Sequence, residues 1–134
     1  MLEKINHIGI AVQSIAATLP FYRDQLGMAC LGTEEVAEQR VMVAMLEIGE
    51  SKIELLEPTS PDSPVAKFLE KNGQGIHHIA YEVEDIEATI ADLIKKGTRM
   101  IDEKPRNGAH GSLIAFIHPK SSYGVLTEIC QSGH

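Results

Sequence analysis

GIHHIAYEV, Gly75–Val83, sets two adjacent histidines at the head of an alternating, β-branched stretch. Successive side chains on a strand point to opposite faces, so His77 and His78 cannot serve the same ligand. A second stretch separates them. INHIGIAV, Ile5–Val12, has the same strand pattern with one histidine, and laying it on the first pairs His7 with His78 at an offset of 71 residues. IEL (53–55) pairs with TEI (127–129) at an offset of 74, the difference being one short loop insertion. Self-similarity of this kind marks two copies of one supersecondary unit. His78, not His77, is then the partner of His7.

The remaining elements follow the same order twice. SIAATLPFYRDQLGM (14–28) puts Ile15, Leu19, Tyr22 and Leu26 at helical spacing and stops at Gly27, with Pro20 predicting a kink or a late start. Strand patterns cover 28–37, 40–48 and 51–58, the last two joined by a tight turn at IGES. A connector over 59–74 holds a short helix with Ser63 as N-cap, Pro64 in its first turn and Gly73 at its end. After the second histidine strand comes a helix over 84–97, capped by Asp85, with Ile86, Ile90, Leu93 and Ile94 on one face and Gly97 as the stop. Strand patterns at 98–102, 112–118 and 123–130 complete the second copy. The reading is one domain over 1–134, with βαβββ modules at 1–58 and 75–131.

Composition narrows the class of function. A formal net charge of −7 argues against nucleic acid or a membrane surface as partner, because both select a basic field. An anionic small molecule needs only a local cluster of cations and stays open. Aromatic residues are 4 % of the chain and Trp is absent, so the aliphatic side chains must pack the core. No basic n-region leads an apolar run at the start, and no stretch approaches the roughly 18 apolar residues of a membrane span. A cytoplasmic protein is expected, with Cys30 and Cys130 as free thiols.

Strand parity then groups four side chains. Ile8, Ile10 and Val12 share the face expected to lie under the helix, while His7 shares the other with Ile5, Gly9 and Ala11. On the matching strand Ile79, Tyr81 and Val83 form the apolar face and His78 looks the other way with Ile76 and Ala80. Small residues beside each histidine leave room for a bound group. Glu54 faces away from Ile53 and Leu55, and Glu128 faces away from Val125, Thr127 and Ile129. A carboxylate on a buried strand is costly unless it is paired or metal-bound. Two imidazoles and two carboxylates at repeat-matched positions make a His₂Glu₂ set, suited to Co²⁺, Zn²⁺, Ni²⁺ or Mn²⁺ with positions open for substrate. Taken singly, each of the four reads as a structural residue; their matched positions carry the metal reading.

The other polar residues take plainer readings. His77 is expected to be structural, in the core or supporting the ligands, and Glu47 and Glu57 to face solvent. His110, in RNGAHGS, sits in a lid or a turn. His118 ends a strand before Pro119 without a repeat partner, and His134 is expected to be a disordered end.

The doubled βαβββ order and the segments INHIGIAV, SKIELLEP, DSPVAKFLEKNGQGIHHIAYEV, GAHGSLIAFIHPK and GVLTEI resemble the vicinal oxygen chelate superfamily over essentially the whole chain. Within it they are most similar to the methylmalonyl-CoA epimerases. The resemblance implies an α+β, glyoxalase-like fold in which two βαβββ modules form a curled mixed sheet around a metal-binding cleft. It also implies a homodimer, one divalent ion per chain with Co²⁺ foremost, and His7, Glu54, His78 and Glu128 as ligands. Some family members carry Gln where this chain has Glu54.

The implied substrate is an acyl-CoA of malonyl type, whose α-proton is removed and returned. A divalent ion stabilises the enolate as a Lewis acid, and two acid/base groups should flank the α-carbon. Glu128 is the first candidate. For the second, one family proposal places a Glu on the third strand, where Val43 stands here, so Glu54 or Glu47 is left to substitute. Lys104, Arg106 and Lys120 would meet the CoA phosphates, with His110 and Ser112 beside the substrate. The alternative is a glyoxalase I-type lyase acting on a glutathione hemithioacetal, although INHIGIAV lacks the Arg those enzymes carry there. Ring-cleaving dioxygenases use two His and one Glu on Fe²⁺, which an acidic residue at Glu54 disfavours. A metal-free drug-binding relative should lack ligands, and all four are present.

Overall fold

A computed structural model describes residues 1–133, so the expectation for His134 lies outside the described residues. The chain forms two compact units, one of His7–His77 and one joining Met1–Asn6 to the stretch from His78 onward. No helix among the described residues is long and apolar enough to cross a membrane.

The His7–His77 unit has strand order β2-β3-β4-β1, from β1 (Leu2–Ala11), β2 (Ala29–Val36), β3 (Val41–Ile48) and β4 (Ser51–Pro58). β1 and β4 run parallel, and the other two pairings are antiparallel. The helix expected over 14–28 is two pieces, α1 (Ile15–Leu19) and a π-helical turn at Pro20–Gln25. Pro20 has no N–H to give, and its ring crowds the preceding turn. The turn widens instead, so that the Leu26 N–H reaches the Phe21 carbonyl at 2.9 Å before Gly27 ends it at φ +79°. Val12, Ile15, Ala44, Leu46 and Leu55 form the core under this helix. Each of the valine, isoleucine and leucine side chains among them contributes about 1.5–3 kcal/mol by leaving water. The connector helix α2 (Pro64–Asn72) starts as expected, with the buried Ser63 hydroxyl accepting the Val65 N–H at 3.1 Å.

The other unit has strand order β5-β8-β7-β6, from β5 (Gly75–Val83), β6 (Arg106–Asn107), β7 (Leu113–Ile117) and β8 (Thr127–Gln131), with α3 (Ile86–Lys95) following β5. β5 and β8 are parallel; β8 with β7, and β7 with β6, are antiparallel. Val83, Ile86, Ile90, Met100, Ala115 and Ile129 pack under α3, and Ala80, Ile114, Phe116 and Cys130 form a second cluster.

Two strand expectations are corrected here. The segment 98–102 makes only an isolated bridge, Met100 to Ile117, and the paired strand comes later, at Arg106–Asn107. Two N–H groups in succession, of Ile101 and Asp102, bend to the same Phe116 carbonyl, so no ladder can continue. The strand expected over 123–130 starts only at Thr127, because Tyr123 (φ +57°) and Gly124 (φ +92°) adopt left-handed backbone.

The repeat extends to the helix starts. The Ser14 hydroxyl accepts the Ala17 N–H and the Asp85 carboxylate accepts the Ala88 N–H, both at 3.1 Å. Thr18 and Thr89 return hydroxyl bonds to the Ser14 and Asp85 carbonyls at 2.7 and 2.8 Å. At the ends of the parallel strands, the Glu57 carboxylate accepts the Ile15 N–H at 2.7 Å and the Gln131 side-chain carbonyl accepts the Ile86 N–H at 2.9 Å. Glu57 therefore caps a helix instead of facing solvent.

Candidate metal centre

Matching registers place the two carboxylates. Glu54 on β4 opposes Gly9 on β1 and Met45 on β3, and Glu128 on β8 opposes Ala80 on β5 and Phe116 on β7. Gly9 with Ala80, and Met45 with Phe116, are pairs at the same offset of 71 that relates His7 to His78. Each glutamate thus stands between one small and one large apolar neighbour. On strands, directly opposed side chains share a face, so each carboxylate shares the face of its own unit's histidine.

The contacts follow from that placement. His7 Nδ1 lies 3.3 Å from Glu54 Oε2, and His78 Nε2 lies 3.2 Å from Glu128 Oε1. All four residues are buried: His7 is 5 % exposed, Glu54 7 %, His78 5 % and Glu128 3 %. The His78 ring also meets Phe116 edge-on, with centroids 5.5 Å apart, which limits its rotation. Cys130 follows Glu128 by two residues on the same face, with its thiol sulfur within 4.8 Å of the carboxylate. Sequence reading took Cys130 only as a buried thiol outside any disulfide, and the structure agrees.

The donor set fits a divalent first-row ion. Imidazole nitrogens and carboxylate oxygens are its usual ligands. Carboxylates this buried need a cationic or hydrogen-bonding partner, and in each unit the histidine is in contact to share that role.

The other candidates scatter. His77 is half-buried, with its ring edge-on to Phe68 of α2 at 5.0 Å, and so is not a core residue. Glu47 is exposed near the end of β3, opposite Lys52. Arg106 is held by Asp102, Nε to Oδ1 3.0 Å, and lies over the Phe116 ring with its guanidinium carbon 5.8 Å from the centroid. Lys104 and Lys120 are exposed, and the Lys120 N–H donates to His118 Nδ1 at 3.0 Å. His110 is exposed in left-handed backbone (φ +55°), and the Ser112 hydroxyl closes the same turn on the Ala109 carbonyl at 2.7 Å. Sequence reading passed over Asn6, whose buried amide donates to Glu82 Oε1 at 2.7 Å, the oxygen that also accepts the Ser132 hydroxyl. The only sequence signal was its place beside His7.

Known proteins share this chain's sequence and fold. Residues 6–116 match the family model of the glyoxalase/bleomycin resistance protein/dioxygenase superfamily. The human mitochondrial methylmalonyl-CoA epimerase is 41 % identical over 98 % of this chain and 75 % of its own length. The ethylmalonyl-CoA/methylmalonyl-CoA epimerase of Cereibacter sphaeroides is 41 % identical over 98 % of this chain and 99 % of its own. A methylmalonyl-CoA epimerase solved with methylmalonyl-CoA and NH4+ is 47 % identical and superposes with a TM-score of 0.96, covering 99 % of this chain and 96 % of that one. The fold is therefore the glyoxalase-like fold of those enzymes. The chain belongs to the glyoxalase/bleomycin resistance protein/dioxygenase superfamily and, within it, to the family of the methylmalonyl-CoA epimerases.

Proposed function

We propose that the protein is a metal-dependent epimerase that interconverts the (R) and (S) forms of methylmalonyl-CoA. The observation that carries this reading is the pair of buried contacts, His7 with Glu54 and His78 with Glu128, at matching registers of a repeated scaffold. The full-length likeness to epimerases of that substrate supports it.

His7, Glu54, His78 and Glu128 would hold one divalent ion, with Co²⁺ the first choice and Zn²⁺, Ni²⁺ and Mn²⁺ sharing its ligand chemistry. Such an ion supplies Lewis-acid stabilisation of the negative charge that develops on the substrate as the α-proton leaves. The protein's own part is acid–base work and exclusion of water. Glu128, buried beside His78 and Phe116, takes or returns the proton on one side of the α-carbon. The apolar neighbours Ala80, Ile114 and Phe116 keep its surroundings dry, which strengthens every charge interaction made there. Arg106 offers the substrate a guanidinium already oriented by Asp102, and Lys120 a mobile cation for phosphate. His110 and Ser112 belong to the turn on the substrate side of this reading. We read residues 1–134 as one vicinal oxygen chelate domain of a cytoplasmic homodimer.

Proton exchange tests the reading. The Co²⁺-loaded protein is incubated in D₂O with methylmalonyl-CoA of one configuration, and the α-proton is followed by NMR alongside a stereospecific coupled assay. Exchange with inversion, abolished by a chelator, is expected. No exchange, with turnover of a methylglyoxal–glutathione adduct instead, transfers the site to the glyoxalase reaction.

A further inference from the structure

Inverting a carbon centre needs a proton taken on one side and returned on the other, so a second acid–base group must complement Glu128. We propose that Glu34 is that group, an assignment that rests on the epimerase reading above.

Register identifies it. In the His7–His77 unit the face that carries Glu54 also carries Met45 opposite it, and Val43 two residues along β3. Glu34 on β2 directly opposes Val43, which puts it on the same face. The titratable side chains on that face of β1–β4 are then Glu3, exposed at the start of β1, with His7, Glu34, Glu47, Lys52 and Glu54. His7 and Glu54 are the proposed ligands. Glu47 and Lys52 oppose one another near the β3–β4 turn, where Glu47 is exposed. β3 offers no carboxylate between them and β2, because Val43, 2 % exposed, and Met45 fill those positions. Glu34 is the remaining carboxylate, and it is half-buried although it lies on the unit's outermost strand.

The other unit supports this placement. Arg106 on β6 opposes Ile114 as Glu34 opposes Val43, and Val43 and Ile114 are 71 residues apart. Arg106 is likewise half-buried on an outermost strand, its guanidinium over Phe116, the neighbour of Glu128. The repeat therefore sets a charged side chain at this outer position twice, on the ligand-bearing face each time, with opposite sign.

The step balances without another reactant. The Glu34 carboxylate accepts the α-proton of one configuration; the C–H bond breaks and its electron pair passes into the thioester carbonyl. The carboxylic acid form of Glu128 then returns a proton on the opposite side as the carbonyl re-forms. The other configuration uses the two groups in reverse order, and exchange with water restores their starting protonation.

The test is Glu34→Gln in the metal-loaded protein, with exchange and inversion measured separately for each configuration in D₂O. We expect inversion to fall by about 100-fold or more in both directions. The α-proton of one configuration, the one facing Glu128, should continue to exchange at close to the wild-type rate, with metal content unchanged. Inversion within about threefold of wild type overturns the assignment, as does equal loss of exchange from both configurations or the loss appearing in Glu47→Gln instead. If wild-type protein neither exchanges nor inverts the substrate, the epimerase reading falls and Glu34 with it; an active wild type with an active Glu34→Gln removes Glu34 alone.

Discussion

The two units share a plan and differ at its periphery. Each has a buried histidine on one strand, a buried glutamate on the strand parallel to it, and a helix whose first turn is tied to the end of that parallel strand. Away from this centre they diverge. Met45 becomes Phe116, Leu56 becomes Cys130, Glu57 becomes Gln131, and the eight-residue β2 has only the two-residue β6 as its counterpart. What is kept is what strand parity and register tie to the ligands. Where a side chain only fills space or meets the edge, the units go separate ways, and there the candidates for telling one side of the substrate from the other are found.

The largest expected effect tests the equivalence of the two histidines. His7→Ala and His78→Ala should each lose most of the bound metal, measured by elemental analysis of purified protein, whereas His77→Ala should retain it. Equal metal loss from His77→Ala, with circular dichroism unchanged, would remove the parity argument. Next come the glutamates, which the acid–base reading makes unequal. Glu128→Gln should lower turnover by about 100- to 1,000-fold with more metal retained than activity. Glu54→Gln should lower it by less than about tenfold, since an amide oxygen still coordinates.

Smaller effects belong to the caps. Glu57→Ala and Gln131→Ala should each cost about 1 kcal/mol in denaturant unfolding, while Glu57→Gln, which installs the other unit's cap, should cost less than about half of that. The smallest is a titration. Partial desolvation, with the cations of Arg99 and Lys120 nearby, holds His118 below the ordinary histidine range. A depressed folded-state value means that the folded protein binds the proton less readily than the unfolded chain. The small stability it contributes is therefore present above the ordinary histidine pKa and lost as pH falls through the folded value. An NMR titration of the folded protein should find the His118 midpoint below that of the same histidine in the unfolded chain.

Much of this was legible in the sequence because it depends on intervals. The spacing from His7 to His78, the proline inside the first helix, and the caps at Ser63 and Asp85 can be read without coordinates. The failures share a cause, which is long-range pairing. Residues 98–102 have a strand's composition, yet two successive N–H groups turn to one carbonyl of β7, a partner no local pattern names. Tyr123 carries a strand former's side chain on left-handed backbone. Glu57 looks like a surface carboxylate until the start of the first helix is placed against it. Glu34 escaped notice because its face is fixed by β3, across a hairpin, and not by its own neighbours.

The register shift between Cys30 and Gly32 on β2 has an outcome for the chain as a written text. The hairpin to β3 fixes the phase of Gly32–Val36, while the extra residue at Leu31 resets the phase of everything before it. With the shift, Cys30 turns toward the helix-covered core. Without it, Cys30 would change places with Leu31 and look out on the ligand-bearing face. At this point in the gene, gain or loss of a single codon would therefore act as an inversion: it would leave every other letter intact and still exchange inside for outside along the start of the strand.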